Sequence, residues 1–533
     1  MILDLLLKIR SLLSNQNRLS TAISSWGGSV IFTSVAVSAI LIGVRQSGTL
    51  QPLELSAFDQ LIRWRPDEGS DQRLLIVGIT EQDLLREYPI SDQTIANVLD
   101  KLEQYQPRTI GIDIFREIPR GNGRAALVKS LQKPNISVVC KMSQVDSPGV
   151  QPPPELSSKQ VGVADVPEDR GGTLRRTLLV TTPPSPKIPW SNKHLCNDPS
   201  QQLVSFAFQL SMFYLKVQGI EPKLTEDGQL KINSTVFKRL DENAGGYQNA
   251  DVPDYQLLIN YRSPTQVSQQ VSLTDVLDGN IDPILVRDRV VLIGYVAPSI
   301  KDDYYTPYSA GLADNQKMSG VVIHAQIVSQ ILSAVLNNRP LIGCWSQWGE
   351  ILWIWGWSIV GGILAWHIRK PWLFGLAGGA LLCVLVGISY SLFLLAVWVP
   401  LVPPAFALIG TAVSVVLVDR FNKGGYAQAI YEGVKGVLKL NIEIDQEKKA
   451  EQVAEITETD YFQNLQQKAK ELRTQKNNPK TKDGADSNTE LQAAKQVDQE
   501  PEPDSGESDY FQRLRQKGKS LRNQDNQSDN EGK

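Results

Sequence analysis

A few carboxylates and one histidine are the side chains in this sequence best spaced to do chemistry. Asp302 and Asp303 follow an apolar run, Arg289 to Val296, and lead through Thr306-Pro307 towards the segment that carries His324. Asp113 lies near the end of TIGIDIF, residues 109–115, where Ile110, Ile112 and Ile114 share one face of a strand. Open α/β sheets bind ligands in the crevice outside the carboxyl ends of their strands. Asp113, Asp302 and Asp303 are therefore candidate contacts for a ligand or cation. The plainer reading of each is a capped loop or turn, which is what such residues usually make. Two adjacent carboxylates do not specify a metal, which needs more oxygen ligands, and neither a metal nor a cofactor is expected. Arg175 and Arg176 suit an anionic ligand, but pairing with Asp165, Glu168 or Asp169 at the surface is the favoured reading. His324 sits beside Val322 and Ile323 and reads as a satisfied, partly buried histidine before it reads as a catalytic base. No Ser/His/Asp or Cys/His spacing marks a nucleophile. No catalytic residue is assigned, and the protein is not expected to be an enzyme.

The elements that must hold these residues alternate. Leu74 to Ile79 reads as a strand, Ser91 opens a helix with Ile95, Val98, Leu99 and Leu102 on one face, and residues 109–115 read as the next strand. A strand–helix–strand unit implies a parallel pair. Further strands are expected at residues 136–140, 178–182, 256–261 and 289–296, and helices at 201–217 and 321–336. The fold class is α/β. Of the four cysteines, Cys140 and Cys196 lie in this portion and Cys344 and Cys383 in or beside an apolar block. A Cys140–Cys196 disulfide is permitted if the portion lies outside the cell, but free buried thiols are favoured.

The apolar block, residues 351–420, is interrupted by only His367, Arg369 and Lys370 before Asp419, and holds about three crossings at ~20 residues each. With an earlier apolar run this predicts four transmembrane helices: residues 27–44, 349–366, 372–390 and 397–418. Lys8, Arg10 and Arg18 precede the first; Arg369 with Lys370, and Arg420 with Lys423, mark the later inner loops. The bias of basic residues to the inner side then places both termini in the cytoplasm and residues 46–345 outside. Residues 1–26 read as an amphipathic segment on the inner membrane surface. The five tryptophans from Trp345 to Trp357 suit an interfacial belt, and Pro403-Pro404 is expected to kink or cap the fourth span. A formal net charge of −3 over 533 residues gives no sign of nucleic-acid binding.

The order of motifs resembles a known family. FDQLIRWRP follows the first span; then come LLIVGITEQDL, YPISDQTIANVLDKLEQYQPRTIGIDIFRE, GVADVPEDRGGTLRRTLL, VSLTDVLDG, RDRVVLIGYVAPSIKDDYYTP and MSGVVIHAQIVSQIL, before three spans. Over residues 58–418 the chain is similar to the CHASE type 2 family of bacterial extracellular sensory domains. The resemblance implies a plasma-membrane sensor with an unknown external ligand, an output domain inside and a possible homodimer. The usual output is missing from the pattern. Residues 419–533 carry neither a histidine nor a glycine-rich nucleotide loop.

That cytoplasmic tail instead repeats a segment. TDYFQNLQQKAKELR, residues 459–473, returns as SDYFQRLRQKGKSLR, residues 508–522. Each copy sets Phe462, Leu465 and Leu472, or Phe511, Leu514 and Leu521, on one side of a short basic helix. Such a helix suits a protein partner or anionic lipid. The polar linker, residues 474–507, should be disordered. The expected role is a signal transducer whose tail recruits a separate output protein. The alternatives are a constitutive envelope scaffold and an external hydrolase using Asp113, Asp302 or Asp303.

Overall fold

The computed structural model describes residues 28–309 and 317–417, together with Gln467, Lys468 and Lys470. The amphipathic N-terminal segment and the tail contacts Phe462, Leu465, Leu472, Phe511, Leu514 and Leu521 lie outside the described residues.

The central element is a six-stranded parallel sheet. Its strands are β1 (Leu74–Ile79), β2 (Thr109–Asp113), β3 (Ile136–Cys140), β4 (Val161–Val163), β5 (Gln269–Ser272) and β6 (Val290–Tyr295), in the spatial order β5-β1-β6-β2-β3-β4. β1 is buried along its whole length, as expected of a parallel strand covered on both faces. Its side chains alternate between two cores. Leu74 and Ile76 join one; Leu75, Val77 and Ile79 join the other.

The principal helices are α1 (Gly28–Gln46), α2 (Gln51–Trp64), α3 (Asp92–Gln104), α4 (Phe206–Lys216), α5 (Gly320–Asn337), α6 (Gln347–His367), α7 (Pro371–Leu394) and α8 (Val402–Val415). α3 buries Ile95, Val98, Leu99 and Leu102 on one face of the sheet, with the helix Arg124–Leu131 beside it. Ser91 caps α3 by accepting the Thr94 N–H at 3.2 Å. α4 and α5 cover the other face. α4 begins at Phe206, later than the sequence suggests, because Ser205 caps it and residues 203–204 pair as a strand. That strand joins Arg176–Thr181 and Tyr255–Leu258 in a separate antiparallel sheet.

The expected free thiols are corrected: Cys140 and Cys196 form a disulfide. Both cysteines are buried, so the sequence pattern was that of a core position either way; the fold brings their Cα atoms to 6.5 Å across 56 residues, a separation sequence alone does not reveal.

The four expected spans are recovered only in part. Among the described residues, α6 and α7 are long and apolar enough to cross a membrane, and only 11% of the apolar window of α7 is buried. α5 passes the same test of length and composition, but it is 83% buried within the α/β domain. α1 qualifies only together with α2, at a bend of 87°. α8 is shorter. The fourth span was expected from residue 397, but Val397–Trp398 pair in parallel with Gly343–Cys344, and the helix starts at Val402 with prolines in its first turn. Pro403 and Pro404 thus open this helix and do not kink it, the position where a missing N–H costs least. The reason for the late start is Trp398. It is buried between Phe58 of α2, at 4.6 Å between ring centroids, and Tyr247, at 6.0 Å.

Polar contacts join the membrane-type helices to the α/β domain. Arg45, in the last turn of α1, donates to the Gly245 carbonyl at 2.7 Å and pairs with Glu350 in the first turn of α6. Glu54 of α2 accepts the Leu401 and Val402 N–H groups, each at 2.8 Å, at the start of α8. α5 runs from the sheet edge towards Gly343–Cys344 and α6, a rod of about 27 Å at 1.5 Å per residue over its 18 residues.

Candidate functional site

The site forms where the chain leaves adjacent strands in opposite directions. After β6 it passes to α5 on one face, and after β2 to the helix Arg124–Leu131 on the other. β6 and β2 are neighbours, with Gly294 opposite Asp113. Such a switch point opens a crevice at the carboxyl edge of the sheet. Here it is a cavity of about 340 Å³ lined by Asp113, Asp302 and His324.

Glycine makes the approach possible. A Cβ on Gly294 would lie 2.7 Å from Val321 and 3.2 Å from the Asp113 Cβ; one on Gly320 would lie 2.7 Å from an Asp302 carboxylate oxygen. The Asp302 carbonyl accepts the Gly320 N–H at 3.0 Å and ties the loop to the start of α5. His324 lies one turn further on, edge-on to Phe206 at 5.1 Å.

The three expected residues therefore meet. His324 Nε2 stands 3.9 Å from Asp113 Oδ2, beyond hydrogen-bond reach. Asp113 Oδ2 and His324 Nδ1 are both buried without a hydrogen-bond partner. His324 is thus buried as expected, but not satisfied. Burial pushes the Asp113 carboxyl up to about 7. Burial also raises Asp302 to about 6, with Asp113 adding to the effect and His324 opposing it. Burial lowers His324 to about 4, so its ring is neutral near pH 7.

Other lining residues were missed. Lys141 directly follows β3, Asp165 lies two residues after β4, Lys301 precedes Asp302 and Tyr304 lies two residues beyond it. Asp165 accepts the Met142 N–H at 2.7 Å, and burial holds its carboxyl above the ordinary range. β4 was not read as a strand, since VGV is too short to show a period; with it, the position of Asp165 at a strand end would have marked it.

Two expected residues lie elsewhere. Asp303 pairs with Lys317 at 3.6 Å and faces a neighbouring hollow. Arg175 does not line this cavity. It grips Asp59 of α2 through two bonds of 2.7 Å and Asp169 through a third. Arg176 and the Tyr247 hydroxyl bind the same Asp169 at 2.8 Å. The expected pairing with Asp169 is present but buried, not at the surface, because α2 folds back over it and brings Asp59, a partner remote in sequence. Chemically, the cavity offers acceptors in excess of donors, with two lysines alongside.

The family model of the CHASE2 domain matches residues 35–363. No curated protein and no solved structure matches the chain.

Proposed function

The chain belongs to the CHASE2 domain family, and from that premise we propose that it is a membrane-anchored receptor, not an enzyme, whose cavity at the switch point receives the signal. CHASE2 is an extracellular sensory domain. The observation that carries the reading is the meeting of Asp113, Asp302 and His324, two of them with unpartnered buried atoms, in one cavity. A buried carboxylate is normally hydrogen-bonded; Oδ2 of Asp113 has no such partner within the protein.

The route inward is α5. Its first turn lines the cavity and its far end leads to the strand pair 343–344 with 397–398 and to α6. A ligand that favours one position of α5 biases the contacts of Arg45 and Glu54 with the membrane-type helices. In this reading α1, α6, α7 and α8 cross the plasma membrane, both termini are cytoplasmic, and the tail repeats recruit a separate output protein. The Cys140–Cys196 disulfide supports an oxidising compartment for the domain.

The test needs no ligand. Ala164 lines the cavity, and Ala164→Trp fills it. In the full chain in lipid nanodiscs, amide exchange at Leu401 and Val402 is expected to change at least threefold. Unchanged exchange with intact folding would defeat the coupling. For the tail, membranes carrying the full chain should retain a cytoplasmic protein that a chain cut before Thr459 does not; equal retention removes the recruiting role.

A further inference from the structure

We propose that the ligand is a small molecule with a cationic amino group, held as an ammonium by Asp113, Asp302 and His324; this rests on the receptor reading above. The Asp113 and His324 side chains are 9% and 5% exposed, and each has a buried polar atom with no partner. They are too far apart to satisfy each other. An ammonium placed among them has N–H donors for both carboxylates, at the short distances of charge-assisted bonds, and for a neutral imidazole nitrogen.

Other ligand classes fit less well. An anion would meet Asp113 and Asp302 in a site that already suppresses their ionisation. Among the described residues, no group of three or more His, Cys, Asp or Glu side chains is arranged to hold a metal ion. About 340 Å³ is at the small end of ligand sites, the size of a short diamine or amino acid. Lys141 and Lys301, both exposed, also line the cavity and would meet a carboxylate at the ligand's other end.

The titratable groups lining the cavity are Asp113 from β2, Lys141 after β3, Asp165 after β4, Tyr295 from β6 itself, Lys301, Asp302 and Tyr304 from the loop after β6, and His324 from α5. Binding a cation draws Asp113 and Asp302 into their ionised forms. Protons are then released, and affinity rises with pH from 5 to 7.5.

The experiment is calorimetry on the full chain in nanodiscs with putrescine, ethanolamine, L-serine and acetate, each at pH 5 and 7.5. At least one amine should bind, at least tenfold more weakly at pH 5, with proton release. Acetate should not. Binding by L-serine alone assigns Lys141 and Lys301 to a ligand carboxylate; binding by putrescine or ethanolamine assigns them no part. Asp113→Asn, and Asp302→Asn as a variant at a less buried position, should each weaken binding at least tenfold, while Asp303→Asn leaves it unchanged. No binding by any of the three amines, acetate binding as tightly as an amine, or indifference to both Asp113→Asn and Asp302→Asn overturns the proposal. The two readings fail separately. Silent amines with an active Ala164→Trp remove the amine class and leave the receptor; bound amines with a silent Ala164→Trp do the reverse.

Discussion

At the scale of single residues, the cavity stores an electrostatic cost. Asp113 has its carboxyl raised from the ordinary 3.8 to about 7 by burial. The folded state therefore holds this proton more tightly than the unfolded state. Its contribution is fully present below about pH 3.8 and is lost as pH rises through about 7. Asp113→Asn removes that loss. The unliganded variant should be more stable than the parent at pH 8, on the order of 2–4 kcal/mol at ~1.4 kcal/mol per unit, with the gap narrowing towards pH 4 in denaturant titrations. A gap independent of pH would mean that Asp113 ionises freely in the fold. His324 acts in the opposite window. Its lowered value contributes stability above about 6.5 that is lost as pH falls towards about 4. Arg175 is a different kind of residue. Its charge is met by two buried carboxylates, and Arg175→Met should destabilise by about 3–5 kcal/mol through the uncompensated acids left behind, read as a lower thermal midpoint.

At the scale of elements, α5 is the part that both lines the cavity and leads to the membrane-type helices. It lies against β6 because position 294 lacks a side chain. Gly294→Ala puts a Cβ 2.7 Å from Val321, and the helix must shift. The expected cost is about 1–3 kcal/mol, typical of overpacking, together with weaker binding in the cavity. A variant as stable as the parent would show that α5 slides freely over the sheet. The disulfide fixes another border of the site, since Lys141 follows Cys140 directly. Paired Cys140→Ser and Cys196→Ser changes should cost about 2–5 kcal/mol, measured by denaturation with and without reductant. Equal stability of the double variant and the oxidised parent would count against the bond as a structural brace.

At the scale of the whole molecule, the domain and the membrane-type helices share residues at their boundary. Trp398, between α7 and α8, is seated in the domain against Phe58, and Glu54 of α2 holds the start of α8. Glu54→Gln replaces one of two acceptor oxygens with a donor. Amide exchange at Leu401 and Val402 should quicken at least tenfold, since one N–H loses its partner; unchanged exchange would mean that other groups hold the turn. The proposed topology makes a separate demand. An amine reagent that cannot cross the bilayer should modify Lys301 in intact cells and spare Lys468 until the membrane is opened. Labelling of Lys468 in sealed cells would reverse the proposed orientation.

The sequence by itself determined the alternation of strands and helices, the apolar lengths of α6 and α7, and the sites most worth testing. These are local quantities: burial on both faces makes LLIVGI a continuous apolar run, and a long helix without a polar face is visible in composition alone. It also placed Asp113 near the end of one strand and Asp302 in the loop after another, which is a matter of counting along the chain. Only the tertiary structure decided which of these ends face one another. Asp303 is adjacent to Asp302 in sequence yet turns to Lys317, while His324 comes to Asp113 from 211 positions away. The bond between Cys140 and Cys196, the grip of Arg175 on Asp59 and the burial of Trp398 beneath the domain have the same character. Each depends on distances between remote segments, and those follow from how the layers pack, which no local pattern records.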